Sequence, residues 1–127
     1  MQDQRPKLIS LGLIMSFPLP AFLSGMHRAT GFVMSIVGLP LMLFLLQQSL
    51  VDKAQFDAWR AILSHPLAKL VYLGFFWAYA HHFCAGIRFF FIDFERCIDL
   101  KGARRSSYVV FAVSLLATAL FGAYLVC

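Results

Sequence analysis

The chain has 127 residues, of which 61% are apolar and only 13% charged, and its mean hydropathy is +0.77. In soluble domains about a quarter of the residues are charged, so this composition excludes a soluble globular domain. The high apolar content also excludes a disordered chain. The three cysteines, Cys84, Cys97 and Cys127, form no C-x-x-C pair and predict neither a thiolate metal site nor a disulfide. The protein is therefore expected to act in a membrane.

Three segments are apolar enough to cross a bilayer as helices, which takes about 20 residues each. They are residues 29–50, 67–91 and 107–126. Ahead of them, residues 1–28 contain a shorter apolar stretch that ends at Pro18 and Pro20, which predicts an N-terminal arm lying in the interface. The sequence thus predicts an all-α integral membrane protein in a single domain, 1–127, with connections at 51–66 and 92–106.

Lysine and arginine are concentrated before the first span and around the second connection: Arg5, Lys7, Arg28, Arg88, Arg96, Lys101, Arg104 and Arg105. Positive charge marks the cytoplasmic side, so we expect a cytoplasmic N-terminus and a periplasmic C-terminus in a bacterial inner membrane. The net charge of +5 then follows from topology and anionic lipid, and no nucleic-acid partner is predicted.

The first connection has apolar residues at helical spacing: Phe56, Trp59, Ile62 and Leu63. Charged residues stand between them, which predicts an amphipathic helix in the interface, with Trp59 in the aromatic belt. Within the first span, Pro40 predicts a kink.

Two adjacent histidines, His81 and His82, lie roughly 15 Å along the second span from Asp93, well inside the hydrocarbon. Neighbouring helix positions point about 100° apart, so the two cannot both face one ligand.

His82 has small residues one turn away on either side: Ala78, Ala85 and Gly86. Such neighbours would let a flat macrocycle approach, which makes His82 the better candidate haem ligand. On spacing alone, close helix packing with the histidine hydrogen-bonded across the interface is the commoner explanation. His27 and His65 fall at opposite ends of spans, so a bis-histidine haem would need a ligand from another subunit.

At the start of the first span, Ser24 and Arg28 are four residues apart and share a helix face. A cation in a first helical turn opposes the macrodipole, so another interaction must favour Arg28 there. Either Arg28 extends to the lipid headgroups, or it converges with the Ser24 hydroxyl on a carbonyl or carboxylate such as a quinone oxygen or a haem propionate. Arg88 and Asp93 are expected to anchor the end of the second span in a salt bridge.

Three motifs follow in order along the chain: Arg5-Pro6, Ser24-x-x-His27-Arg28-x-Thr30-Gly31 and His82-x-x-x-Gly86-x-Arg88-x-x-x-x-Asp93. With the three-span layout, they resemble the cytochrome b membrane-anchor subunits of succinate dehydrogenase over the whole chain. Ile92 and Glu95 depart from the residues usual at those positions in that family.

The resemblance implies half of a heterodimeric haem-binding helix bundle. A second small anchor subunit would complete it, below an iron–sulfur subunit and a flavoprotein that oxidises succinate. His82 would then be an axial ligand of haem b, whose other ligand comes from the partner anchor. Ser24 and Arg28 would belong to the ubiquinone site, and His27 and Arg28 would approach the haem propionates.

Other functions fit parts of the pattern. The anchor of a fumarate reductase would run the reverse chemistry with menaquinone. A non-haem assembly or transport subunit would use His81 and His82 to relay protons or pack helices. A metal transporter would need more ligands at membrane depth than Cys84 offers.

Overall fold

The computed structural model describes residues 18–94 and 99–126, and within them it contains helices and no strand. The helices are α1 (Leu19–Ser49), α2 (Lys53–Leu63), α3 (Pro66–Asp93) and α4 (Leu100–Val126). Of these, α1, α3 and α4 are long and apolar enough to cross a membrane, which confirms the all-α prediction with three spans. Residues 1–17 of the predicted arm lie outside the described residues.

Two helices begin earlier than the spans predicted from hydropathy. Helix α1 starts at Leu19 rather than at residue 29, and α4 starts at Leu100 rather than at residue 107. Pro18 precedes α1 in an extended conformation, and Pro20 stands in the first turn, where no helical hydrogen bond needs its missing N–H. Hydropathy locates the apolar part of a helix and not its ends. Residues 19–28, predicted as part of the arm, are therefore continuous with the first span.

The α-helical bonding of α1 is interrupted by a π-turn at Met34–Gly38, where the amide of Leu39 donates to the carbonyl of Met34. Pro40 follows directly. A proline has no amide hydrogen to donate, and its ring crowds the carbonyl four residues before it. A π-turn widens the helix at that point. The irregularity expected at Pro40 is therefore this π-turn just before it.

The connection between α1 and α3 folds as the predicted helix α2. The Asp52 side chain caps it by accepting a hydrogen bond of 2.7 Å from the amide of Gln55. Trp59 packs edge-on against Phe44 of α1, with ring centroids 5.6 Å apart. The amphipathic pattern therefore identified this helix, and its Trp59 faces α1.

The three long helices meet at a small core of Leu23 from α1, Ala85 from α3 and Val110 from α4. Helix α4 approaches α3 through small residues. Its buried Ser107 and Ser114 each donate a hydrogen bond to a carbonyl of the preceding turn, so their hydroxyls are satisfied without a partner on α3. Most large apolar side chains point outward instead, as a lipid-facing bundle requires.

Polar contacts join α3 and α4 at both ends. At one end, the buried Arg88 donates from Nε to the Ser106 hydroxyl at 2.9 Å and from Nη2 to the Ala103 carbonyl at 3.3 Å. At the other end, Lys69 Nζ donates to the Leu125 carbonyl at 2.7 Å, in the last turn of α4, where carbonyls have no helical partner. Arg88, predicted to anchor α3 at the interface, thus also binds α4.

Candidate functional site

His27 of α1 and His82 of α3 form a pair between the two spans, so the expectation that His27 lies out of reach of His82 is wrong. Because α1 starts at Leu19 and not at residue 29, His27 lies within the helix, level with His82. Their rings are stacked, with centroids 4.1 Å apart and planes inclined by 13°. His82 Nδ1 lies 2.9 Å from the backbone carbonyl oxygen of His27. Because a carbonyl only accepts, we assign the ring proton to Nδ1, which leaves a lone pair on Nε2. That nitrogen makes no hydrogen bond with the described residues, so its lone pair is unused within them.

Two motif residues of α1 shape this contact. The buried Thr30 hydroxyl lies 2.8 Å from the Met26 carbonyl and 3.0 Å from that of His27, and 3.4 Å from His82 Nδ1. Gly31 lies directly against the ring, since an added Cβ would come within 2.7 Å of His82 Cε1. The backbone of α1 can therefore reach His82 only because residue 31 has no side chain.

The small residues around His82 differ in their surroundings. Ala85 belongs to the bundle core and Ala78 is buried, as close helix packing predicts. Gly86 is the one beside the pair, since a Cβ there would lie 3.7 Å from His27 Nε2, an ordinary contact distance. Packing thus accounts for the two alanines, and Gly86 borders the candidate site.

His81 points to a different neighbour, as the 100° rotation predicts. Its ring is fully buried, 5.0 Å from the ring of Phe111 in α4 and 5.3 Å from that of Trp77. Neither ring nitrogen has a hydrogen-bond partner in the described part of the chain, and the same holds for Trp77 Nε1. His81 is enclosed between α3 and α4, so a large ligand has no open side from which to reach it.

Ser24 and Arg28 lie on one face of α1, with the serine half-buried and the arginine exposed. Neither side chain hydrogen-bonds to residues 18–94 or 99–126. Since α1 starts at Leu19, Arg28 stands about two and a half turns into the helix and not in its first turn. The expected conflict with the macrodipole is thus absent, because that effect fades within one turn.

Sequence reasoning missed Phe89 as part of the site. Its ring packs against His27 with centroids 5.2 Å apart. Phe89 follows His82 by seven residues, a spacing that returns to the same helix face, so this signal was available.

No group of three His, Cys, Asp or Glu side chains within the described ranges could hold a metal ion. A metal at His82 would therefore need most of its ligands from outside the described residues.

The fold and the site define a helical membrane protein with three spans and a histidine pair between two of them. Residues 1–121 match the family described as succinate dehydrogenase/fumarate reductase transmembrane subunit. The chain is also similar to the succinate dehydrogenase cytochrome b556 subunit of Coxiella burnetii, with 34% identity over 113 residues that cover 86% of this chain and 87% of that protein. The chain belongs to the succinate dehydrogenase/fumarate reductase transmembrane subunit family, which confirms the resemblance seen in its motifs.

Proposed function

We propose that this chain is the cytochrome b anchor subunit of a succinate dehydrogenase and that His82 is an axial ligand of haem b. The observation that carries this proposal is the hydrogen bond from His82 Nδ1 to the His27 carbonyl, with Nε2 left unbonded among the described residues. Ligating histidines commonly donate their other ring N–H to a carbonyl, which fixes the ring. A bound haem would take up and release single electrons.

A second ligand to the haem iron would come from a partner anchor subunit. His27 is excluded because its ring lies parallel to that of His82 at 4.1 Å, which leaves no room for an iron between them. His81 is enclosed against α4. The exposed aromatic residues Tyr79 and Phe83 flank His82 along α3 and offer an apolar surface for a second helical subunit. This chain would then be half of a heterodimeric bundle, with the iron–sulfur and flavoprotein subunits docked on it.

The His82 assignment is tested by His82→Leu and His81→Leu, a matched pair of neighbouring changes. Complexes purified through a tag on this chain are compared by reduced-minus-oxidised spectra and by the ratio of haem to flavin. We expect His82→Leu to lose or shift the haem b band and His81→Leu to keep it. The flavin content reports assembly in both. If His81→Leu loses the haem and His82→Leu does not, the assignment is wrong.

Ser24, His27 and Arg28 would serve two neighbouring groups. The exposed guanidinium of Arg28 and the ring of His27 would approach the haem propionates, since a guanidinium pairs well with a carboxylate. Ser24 and Arg28 together would bind the ubiquinone, whose oxygens gain negative charge on reduction. A hydroxyl donor and a cation stabilise that charge, and losing one such group typically slows a reaction about 10²- to 10³-fold.

The quinone site is tested with Ser24→Ala and Arg28→Leu, and with Arg104→Leu as a control that removes an exposed cation from α4. Succinate oxidation is measured twice, with ubiquinone and with a dye that accepts electrons from the soluble subunits. We expect Ser24→Ala and Arg28→Leu to lose the ubiquinone rate and keep the dye rate. Equal loss of both rates would assign these residues to assembly, and unchanged ubiquinone rates would place the site elsewhere.

The family description also covers fumarate reductases. An anchor of that enzyme would support fumarate reduction by a menaquinol faster than succinate oxidation, so both rates are measured in the same membranes. A non-haem assembly or transport subunit would instead give a colourless purified protein.

A further inference from the structure

A groove of about 610 Å³ lies between α3 and α4, at the end of the bundle that carries Arg88 and Arg105. Its walls include Ile87 and Phe91 of α3, which lie roughly 140–180° around the helix from His82. The groove is therefore on the opposite side of α3 from the histidine pair and is separate from the proposed haem and quinone sites.

The mouth of the groove is basic. Arg105 lines it and is exposed, while Arg88 is 6% exposed and is held in the wall by its hydrogen bonds to α4. The adjoining turns of α4 carry two more cations, Lys101 and Arg104. Among residues 99–106 the acidic side chain is Asp99, whose carboxylate accepts a hydrogen bond from the Gly102 amide at 3.0 Å. On α3 the exposed Asp93 is at the same end, but it lies about 160° around the helix from Phe91, on the side of His82. This end of the groove therefore favours an anion.

Below the mouth the groove is apolar. Val109 and Val113 continue the α4 wall opposite Phe91, and Val113 lies about 12 Å along the helix from Arg105. One leaflet of the hydrocarbon core is about 15 Å thick, so the apolar part of the groove spans most of the depth of one leaflet. An occupant needs an anionic head at Arg105 and a long apolar chain.

We propose that this groove binds an anionic phospholipid from the leaflet at the basic end of the bundle. The lipid phosphate would lie beside Arg105, and one acyl chain would run between Phe91 and Val109 towards Val113. A zwitterionic lipid would bring its own cation to the arginines and bind less well. The proposal is independent of the haem and quinone assignments.

The test uses the complex purified through a tag on this chain, delipidated in mild detergent and titrated with phosphatidylglycerol or phosphatidylcholine. Bound lipid is counted by native mass spectrometry. We expect tighter binding of phosphatidylglycerol, and we expect Arg105→Gln to weaken it about fivefold, the effect of one basic residue near a lipid surface. Arg104→Gln is the matched control, because it removes the same charge from the preceding residue, which does not line the groove. Val109→Phe, at a position 54% exposed, fills the apolar part and should weaken both lipids.

Three results would each overturn the proposal. Equal weakening by Arg104→Gln and Arg105→Gln would mean diffuse attraction to a basic surface. Equal affinity of the unaltered complex for both lipids would mean that the groove does not recognise the anionic headgroup. No effect of Val109→Phe would mean that the groove holds no acyl chain, as when a partner helix or a quinone tail occupies it. Unchanged flavin and haem content in each variant shows that the complex is assembled.

Discussion

The substitution Gly31→Ala tests whether the backbone of α1 holds the His82 ring in place. A Cβ at this position would lie 2.7 Å from Cε1 and 3.2 Å from Nδ1 of His82, closer than packed atoms come, so the ring must move. Moving away from Gly31 also takes Nδ1 away from the His27 carbonyl, which lies one turn earlier on the same helix. The variant should therefore displace the proposed ligand without changing it chemically.

The expected magnitude follows from three contributions. Overpacking costs about 1–3 kcal/mol, and losing the hydrogen bond costs about 1 kcal/mol more. Alanine has a better helix propensity than glycine, which offsets about 1 kcal/mol. The net destabilisation is about 1–3 kcal/mol. Gly25→Ala is the control on the same helix, since nothing lies within 4 Å of its added Cβ, and it should be neutral or stabilising by up to about 1 kcal/mol.

The assay compares thermal unfolding and the haem spectrum of the two purified complexes. We expect Gly31→Ala to lower the unfolding temperature and the haem content and to shift the spectrum, while Gly25→Ala matches the unaltered complex. If Gly31→Ala shows both a normal spectrum and normal thermal stability, the close approach of α1 to His82 is not a feature of the assembled protein.

Further predictions concern the bundle and its orientation. Arg88→Met removes two hydrogen bonds between α3 and α4 and should lower the stability of the complex in detergent by about 1–3 kcal/mol. Lys69→Met removes one such bond and should have a smaller effect. The opposite order of the two variants in thermal unfolding would contradict this. In a cysteine-free background, Lys101→Cys should react with a membrane-impermeant thiol reagent from the cytoplasm and Asp57→Cys from the periplasm, and labelling of position 101 from the periplasm would reverse the topology. Expressed without other subunits, the chain should aggregate or be degraded, which pulse-chase labelling measures; a stable monomer would argue against an obligate partner.

The sequence was sufficient for the existence of the spans and not for their ends. A bilayer admits only helices or closed barrels, so an apolar stretch of sufficient length predicts a span directly. The start of α1 at Leu19 depends instead on Pro18 and Pro20 just before and within its first turn, and hydropathy does not register that. The start of α4 at Leu100 adds a basic, polar turn, which a hydropathy threshold excludes.

The site was predictable where helix geometry alone decides it. The rotation between adjacent positions separated His81 from His82, and the structure turns them towards α4 and α1 respectively. The acceptor of the His82 hydrogen bond could not be predicted, because it is a backbone carbonyl and no residue type signals it. Nor could the sequence decide whether Ala85 serves packing or access, since a small side chain is compatible with both until its neighbours are known.

The π-turn at Met34–Gly38 has a consequence for how the first span presents its faces. Such a turn contains one residue more than an α-helical turn, so everything beyond it is rotated by about 100° relative to an uninterrupted helix. The half of α1 that carries His27 and Gly31 and the half that meets α2 are therefore out of phase. Deleting one residue within the turn would restore a regular helix of almost the same length and hydropathy, yet it would swing the histidine-bearing half away from α3 while the other half kept its contacts.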